Sequence, residues 1–214
     1  MAGAIKRRRS RYGEGGCALG VDIHLEPGMK VGLFGGSFDP AHEGHAHVAR
    51  AALRGLGLDR VVWLVSPRNP LKPTSPVASM EARLAAARKL ASGPSMIVSD
   101  VESCFDLRFT IDTIRLFKAR FRAVHFVWIM GADALAGFHR WRFWREIMAE
   151  TPVAIVSRPG ETLRGLFAPM PRIFAGWRIP EVAARRLPLA RPPAWVYLSE
   201  PLNCSSSSVL RNRH

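Results

Sequence analysis

The chain has 214 residues, 48% of them apolar, with 31 Lys and Arg against 17 Asp and Glu and a formal net charge of +14. That length suits one α/β domain with a sizeable core and is short for two, and the apolar content excludes a wholly disordered chain. The longest apolar stretch, Ala123 to Ala136, is interrupted by His125 and Asp133, so no transmembrane helix is expected.

Residues 1–29 come first in the chain. They are rich in Gly and Arg, lack a hydrophobic period, and read as a flexible basic arm or a misassigned start. No apolar run of signal-peptide length occurs before Gly28, which points to a cytoplasmic rather than a secreted protein. The arm carries five basic residues (Lys6, Arg7, Arg8, Arg9 and Arg11) and three acidic ones, so +12 remains on residues 30–214. The basicity therefore belongs to the body, which either meets an anionic partner or substrate or is simply a solvated cationic surface. Zinc spacing, an RNA-binding aromatic signature and a basic heptad are all missing, so no specific nucleic acid is indicated.

Residues 30–214 are expected to form a single domain. Short apolar runs at Lys30 to Gly35, Arg60 to Val65, Ser95 to Ser99, Val124 to Met130, Pro152 to Ser157 and Trp195 to Leu198 read as strands. Helical patterns lie between them. They are Gly44 to Leu56, Met80 to Leu90 with Ser79 as N-cap, Thr110 to Phe121 with Thr110 able to cap it, and Trp141 to Glu150. Arg158 to Arg191 mixes Pro, Gly and Arg without a clean period. Strand and helix in alternation predict a doubly wound parallel sheet of the Rossmann-like kind. Cys17, Cys104 and Cys204 are far apart, which suggests free thiols in a reducing compartment.

The chemistry concentrates after the first strand, in Gly35-Gly36-Ser37-Phe38-Asp39-Pro40-Ala41-His42-Glu43-Gly44-His45. In a doubly wound sheet this connection lies at the carboxyl ends of the strands, where ligands bind. Gly35 and Gly36 permit close approach of backbone to a phosphate, and the helix start beyond them offers amides and a positive dipole end. Neither GxGxxG nor GxxxxGK[ST] is present. His42 and His45, three apart, are brought to one side and can face one anion. Metal binding by the pair lacks a third ligand at a suitable spacing, so no protein-held metal is expected.

These residues resemble the signature GxFDPxHxGH of the HxGH-motif nucleotidyltransferases. Ser206-Ser207-Ser208-Val209-Leu210-Arg211 is similar to a second signature of the same superfamily. The likeness extends to the bacterial nicotinate-nucleotide adenylyltransferases through Asn69-Pro70-Leu71-Lys72-Pro73, Phe109-Thr110-Ile111-Asp112-Thr113, Gly131-Ala132-Asp133 with Trp141, and Ser157-Arg158-Pro159-Gly160. It covers roughly residues 30–214. Ala41 stands where a branched residue is usual and Ser208 where Thr is commoner.

The resemblance implies attack of the phosphate of nicotinate mononucleotide on the α-phosphorus of ATP, with magnesium arriving on the nucleotide and no protein nucleophile. It implies His42, His45 and Arg211 as catalytic residues. It also implies Gly35, Gly36, Ser37, Phe38, Gly44, Gly131, Asp133, Ser207 and Ser208, with the same three residues, around ATP. Asp133 would bond a ribose hydroxyl, or cap the helix that follows. On the mononucleotide side stand Lys72 or a solvated loop lysine, Thr110, Trp141 as a stacking face or one more core aromatic, and Arg158 as a fork for phosphate or a surface arginine. Rivals are an enzyme of the same fold acting on nicotinamide mononucleotide or phosphopantetheine, and a noncatalytic basic domain that binds nucleic acid. A homo-oligomer is compatible with all of them.

Overall fold

The computed structural model describes residues 23–67, 78–157 and 166–199. Along the chain run β1 (Lys30–Gly36), α1 (Glu43–Leu56), β2 (Arg60–Val65), α2 (Met80–Leu90), β3 (Met96–Ser99), α3 (Val101–Cys104), α4 (Thr110–Arg120), β4 (His125–Gly131), α5 (Ala132–Phe138), α6 (Trp144–Glu150), β5 (Val153–Val156), α7 (Pro169–Ile173) and β6 (Trp195–Leu198). Two 3-10 segments, Ala175–Trp177 and Glu181–Leu189, precede the last strand. The strands form one six-stranded sheet in the order β3-β2-β1-β4-β5-β6, and every neighbouring pair is parallel. This is the expected doubly wound arrangement.

A parallel sheet covered on both faces demands apolar residues at every strand position, and Val61 to Val65 are all fully buried. Successive residues point to opposite faces. Val31, Leu33, Val62, Leu64 and Trp128 therefore pack under α4, α5 and α6, whereas Phe34, Val61, Trp63, Val127 and Ile129 pack under α1, α2 and the Glu181–Leu189 segment. Helix α1 can lie close because its inner face is mostly alanine (Ala46, Ala49 and Ala52), and it ends at Gly57, whose φ of 63° only glycine adopts cheaply. The expected cap of α2 is present, with the Ala82 amide donating to Ser79 Oγ at 3.2 Å. No helix among the described residues is long and apolar enough to cross a membrane.

Three boundaries differ from expectation for identifiable reasons. Ile23 and Leu25, inside the expected flexible arm, are 6% and 8% exposed and belong to the core under α4, so the packed body includes residues before Lys30. Thr110 is not a cap. Phe109 holds that position in extended conformation, its carbonyl taking the amides of Asp112 and Thr113. The last expected helix starts at Trp144 rather than Trp141, because Phe143 takes a left-handed φ of 61° and breaks the helical run.

Candidate active site

In this strand order the connections leaving β1 and β4, neighbours in the sheet, run to opposite sides, which opens a crevice at their carboxyl ends. The turn Gly36 to His45 enters it from β1, and Gly131 to Asp133 from β4.

Phe38 shapes the first turn. Its φ of 46° is left-handed, a conformation that costs a non-glycine residue about 1 kcal/mol and persists only where packing enforces it. Its ring, 1% exposed, stacks on Trp63 with centroids 5.2 Å apart and meets the edges of Phe34 at 5.5 Å and His45 at 5.0 Å. Phe38 is thus a packed floor beneath His45. Gly35 also has a packing task. A Cβ there would lie 2.5 Å from Trp128 Cη2, so the indole occupies the space that a side chain would take.

The two histidines cap α1 with each other. Gly44 N donates to His42 Nδ1 at 3.1 Å, and His42 N donates to His45 Nδ1 at 3.2 Å, a capping box built from imidazoles. Their ring centroids are 3.9 Å apart. With both Nδ1 lone pairs engaged, each neutral ring carries its proton on Nε2, so the pair is set up to donate hydrogen bonds from the helix start.

Asp39 links this turn to α2, accepting from Ala78 N through Oδ1 at 3.3 Å. Beside it lies a residue that sequence reasoning missed. Arg83, 3% exposed, donates from Nη1 to Ser37 O at 2.8 Å and Ser66 O at 2.7 Å, from Nη2 to Pro67 O at 3.2 Å, and from Nε to Ala78 O at 3.2 Å. Burial holds its pKa below the usual guanidinium value, with the charges of Asp39 and Glu81 pulling it back up. The available signal was an arginine on the same helix face as buried Leu84 and Ala87.

On the β4 side, Gly131 is the N-cap of α5, so Asp133 falls inside the first turn and is not the cap. Asp133 is exposed there, with its carboxylate at the positive end of the helix. Trp141 is half-buried and packs edge-on against Trp128 at 6.3 Å and Phe138 at 5.3 Å, so one part of it belongs to the core. Thr110, also half-buried, opens α4. A second missed residue lies behind that helix. Glu102 on α3 is 8% exposed and accepts a bond from Thr113 Oγ1 at 2.9 Å, and burial pushes its carboxyl up to about 7 against the downward pull of that bond. Lys72, Arg158, Ser207, Ser208 and Arg211, with Cys17 and Cys204, lie outside the described residues. Among the described residues no three His, Cys, Asp or Glu side chains gather as a metal site.

A six-stranded parallel sheet in this order, with helix-start donors at its switch point, defines a nucleotide-binding α/β protein. Residues 33–213 match the family described as cytidylyltransferase-like. A Caulobacter sp. (strain K31) protein named "Probable nicotinate-nucleotide adenylyltransferase" is 55% identical over 185 residues, covering 86% of this chain and 98% of the relative. A protein of the same name from Roseobacter denitrificans is 46% identical over 186 residues, covering 87% and 93%. The chain belongs to the cytidylyltransferase-like family, on the branch of the nicotinate-nucleotide adenylyltransferases. Among solved structures, the Plasmodium falciparum nicotinic acid mononucleotide adenylyltransferase complexed with NaAD has the same fold, with a TM-score of 0.63 at 16% identity over 85% of this chain and 82% of that one.

Proposed function

We propose that this chain transfers the adenylyl group of ATP to nicotinate mononucleotide, a step of NAD biosynthesis. A phosphate oxygen of the mononucleotide attacks the α-phosphorus, the bond from that phosphorus to the bridging oxygen breaks, and pyrophosphate leaves with both electrons of that bond. Family membership supports the reaction, and one geometric observation carries the site: the paired imidazoles of His42 and His45, each with Nδ1 engaged by a backbone amide. Their Nε2–H edges are donors fixed before the substrate arrives, which is how charge growing on a transferring phosphoryl group is stabilised without reorganisation.

The remaining roles follow the crevice. Backbone amides from Gly36 to Phe38 receive phosphate oxygens, Gly35 and Gly44 allow the nucleotide to approach the backbone closely, and Asp133 receives a ribose hydroxyl beside Gly131. Arg211, Ser207 and Ser208 add donors from the far end of the chain, and Lys72 and Arg158 add cations for the phosphates. Magnesium enters as part of the ATP complex, as substrate. Trp141 offers its free face to the pyridine ring, and Thr110 with the α4 amides receives the ring carboxylate. That pocket presents donors, so the NH2 of a carboxamide would face donors and lose hydrogen bonds, about 1–3 kcal/mol for each group left unsatisfied.

The test is pyrophosphate release with ATP and magnesium against nicotinate mononucleotide, nicotinamide mononucleotide, phosphopantetheine and nicotinate. Release should require a mononucleotide, and kcat/KM should favour nicotinate over nicotinamide mononucleotide by about tenfold or more. Equal constants for the two would remove the nicotinate assignment. Trp141→Ala with unchanged constants would return that residue wholly to the core.

A further inference from the structure

We infer that Arg83 is a positioning residue for adenylyl transfer: its buried guanidinium, bonded to the carbonyls of Ser37, Ser66 and Pro67, orients the peptide that presents the Phe38 amide to the nucleotide. The inference rests on the reaction proposed above and assigns a role to a side chain that touches no substrate.

Leu84 and Ala87 supply the apolar part of the buried face of α2, whereas position 83 meets carbonyl oxygens that an aliphatic residue would leave unpaired. An arginine there costs desolvation, which only a well-matched set of acceptors offsets. Its fork is matched to backbone oxygens from three places: the β1 turn (Ser37), the end of β2 (Ser66 and Pro67) and the entry to α2 (Ala78). The Ser37 carbonyl and the Phe38 N–H belong to one planar trans peptide and point in opposite directions. Drawing the oxygen to Arg83 at 2.8 Å therefore sends the Phe38 N–H away from α2. The preceding peptide is held from the same side, because Ser66 donates to Gly36 O through N at 2.9 Å and through Oγ at 3.2 Å.

Phe38 has its left-handed backbone pinned twice, by its ring on Trp63 and by Arg83 on the peptide before it. A charge-assisted bond on the carbonyl also polarises the peptide, making its N–H a stronger donor. An amide oriented in advance acts on charge that develops in the transition state, so its misplacement lowers kcat. Thr110 and Trp141 stand at the other wall of the crevice, so the KM for the mononucleotide should be insensitive to Arg83.

The experiment compares full-length Arg83→Lys with Leu187→Ala, a change in the core beneath the Glu181–Leu189 segment, at a temperature where both are folded. Lysine keeps the charge but cannot span the Ser37, Ser66 and Pro67 carbonyls as a planar fork does. Arg83→Lys should lose about tenfold or more in kcat with the KM for nicotinate mononucleotide within about threefold of the parent, while Leu187→Ala loses thermal stability and keeps kcat. Equal kcat in Arg83→Lys and the parent, or equal losses in Arg83→Lys and Leu187→Ala, would overturn the assignment. A measurement on the parent chain covers the case in which Arg83 variants do not fold. Titration with α,β-methylene-ATP, followed by 15N NMR, should move the Phe38 amide and the Arg83 Nε resonance on one saturation curve, and an Arg83 signal that stays still while Phe38 shifts would equally overturn it. A parent chain that releases no pyrophosphate with nicotinate mononucleotide instead refutes the reaction itself, and the inference with it.

Discussion

At the scale of single residues, the site economises by giving each group a structural and a chemical task. His42 is the N-cap of α1 and the proposed phosphate donor, and the two tasks use different ring nitrogens. They can therefore be separated by substitution. Asparagine is among the best N-cap residues, so His42→Asn should keep the melting temperature close to that of the parent, whereas His42→Ala should lose about 1 kcal/mol of stability. Both should lose roughly a hundredfold in turnover, the usual effect of deleting one preorganised donor. Recovery of turnover in His42→Asn along with stability would show that the imidazole is only a cap. Gly35 makes the complementary point. Its adjacency to Gly36 reads as close approach of a phosphate, but the space a Gly35 side chain would take is filled by Trp128. A one-dimensional pattern marks where a Cβ is forbidden without saying which neighbour forbids it.

At the scale of elements, all six strands and the longer helices were legible, because strands buried on both faces read as unbroken apolar runs and α4 shows a clean stripe of Ile111, Ile114 and Phe117. Interactions between elements were not. The pairing of Glu102 on α3 with Thr113 on α4 joins residues whose partnership depends on how the two helices meet. It makes a distinct prediction about pH. The Glu102 carboxyl is pushed up to about 7 by burial, from an ordinary value of 4.5, so between those values the folded chain holds a proton that the unfolded chain releases. The contribution to stability is complete below 4.5 and is lost as pH rises through 7. Glu102→Gln keeps an acceptor for Thr113 without the charge. It should stabilise the chain by about 1–3 kcal/mol at pH 8 and hardly at all at pH 4.5, measured by urea unfolding. A shift of equal size at both pH values would exclude titration of Glu102 as the cause. Arg83 was illegible for the same reason as Glu102: its acceptors are backbone oxygens on loops that only the folded sheet brings together.

At the scale of the molecule, the +14 charge suits a protein whose proposed substrates are both polyanions. The packed body reaches back to Ile23, where an alternation of apolar residues too short to register as a strand places Ile23 and Leu25 in the core. A chain beginning at Lys30 should lose about 1.5–3 kcal/mol for each of these side chains, and with them roughly 6 °C or more in melting temperature. A chain beginning at Val21 should melt with the parent. Identical melting of the two truncations would show that residues 23–29 contribute nothing.

The pairing of β1 with β4 has a consequence for how the crevice comes into being. Lys30 lies beside His125, whereas β1 and β2 are joined by a single helix. Local contacts form soonest, and closing the long connection to β4 is the slower event. The β1-α1-β2 unit, with the paired imidazoles already at its helix start, can collapse while the opposite wall is still missing. The crevice is therefore incomplete until β4 joins β1, and a growing chain on the ribosome has both of its walls only after β4 has been made.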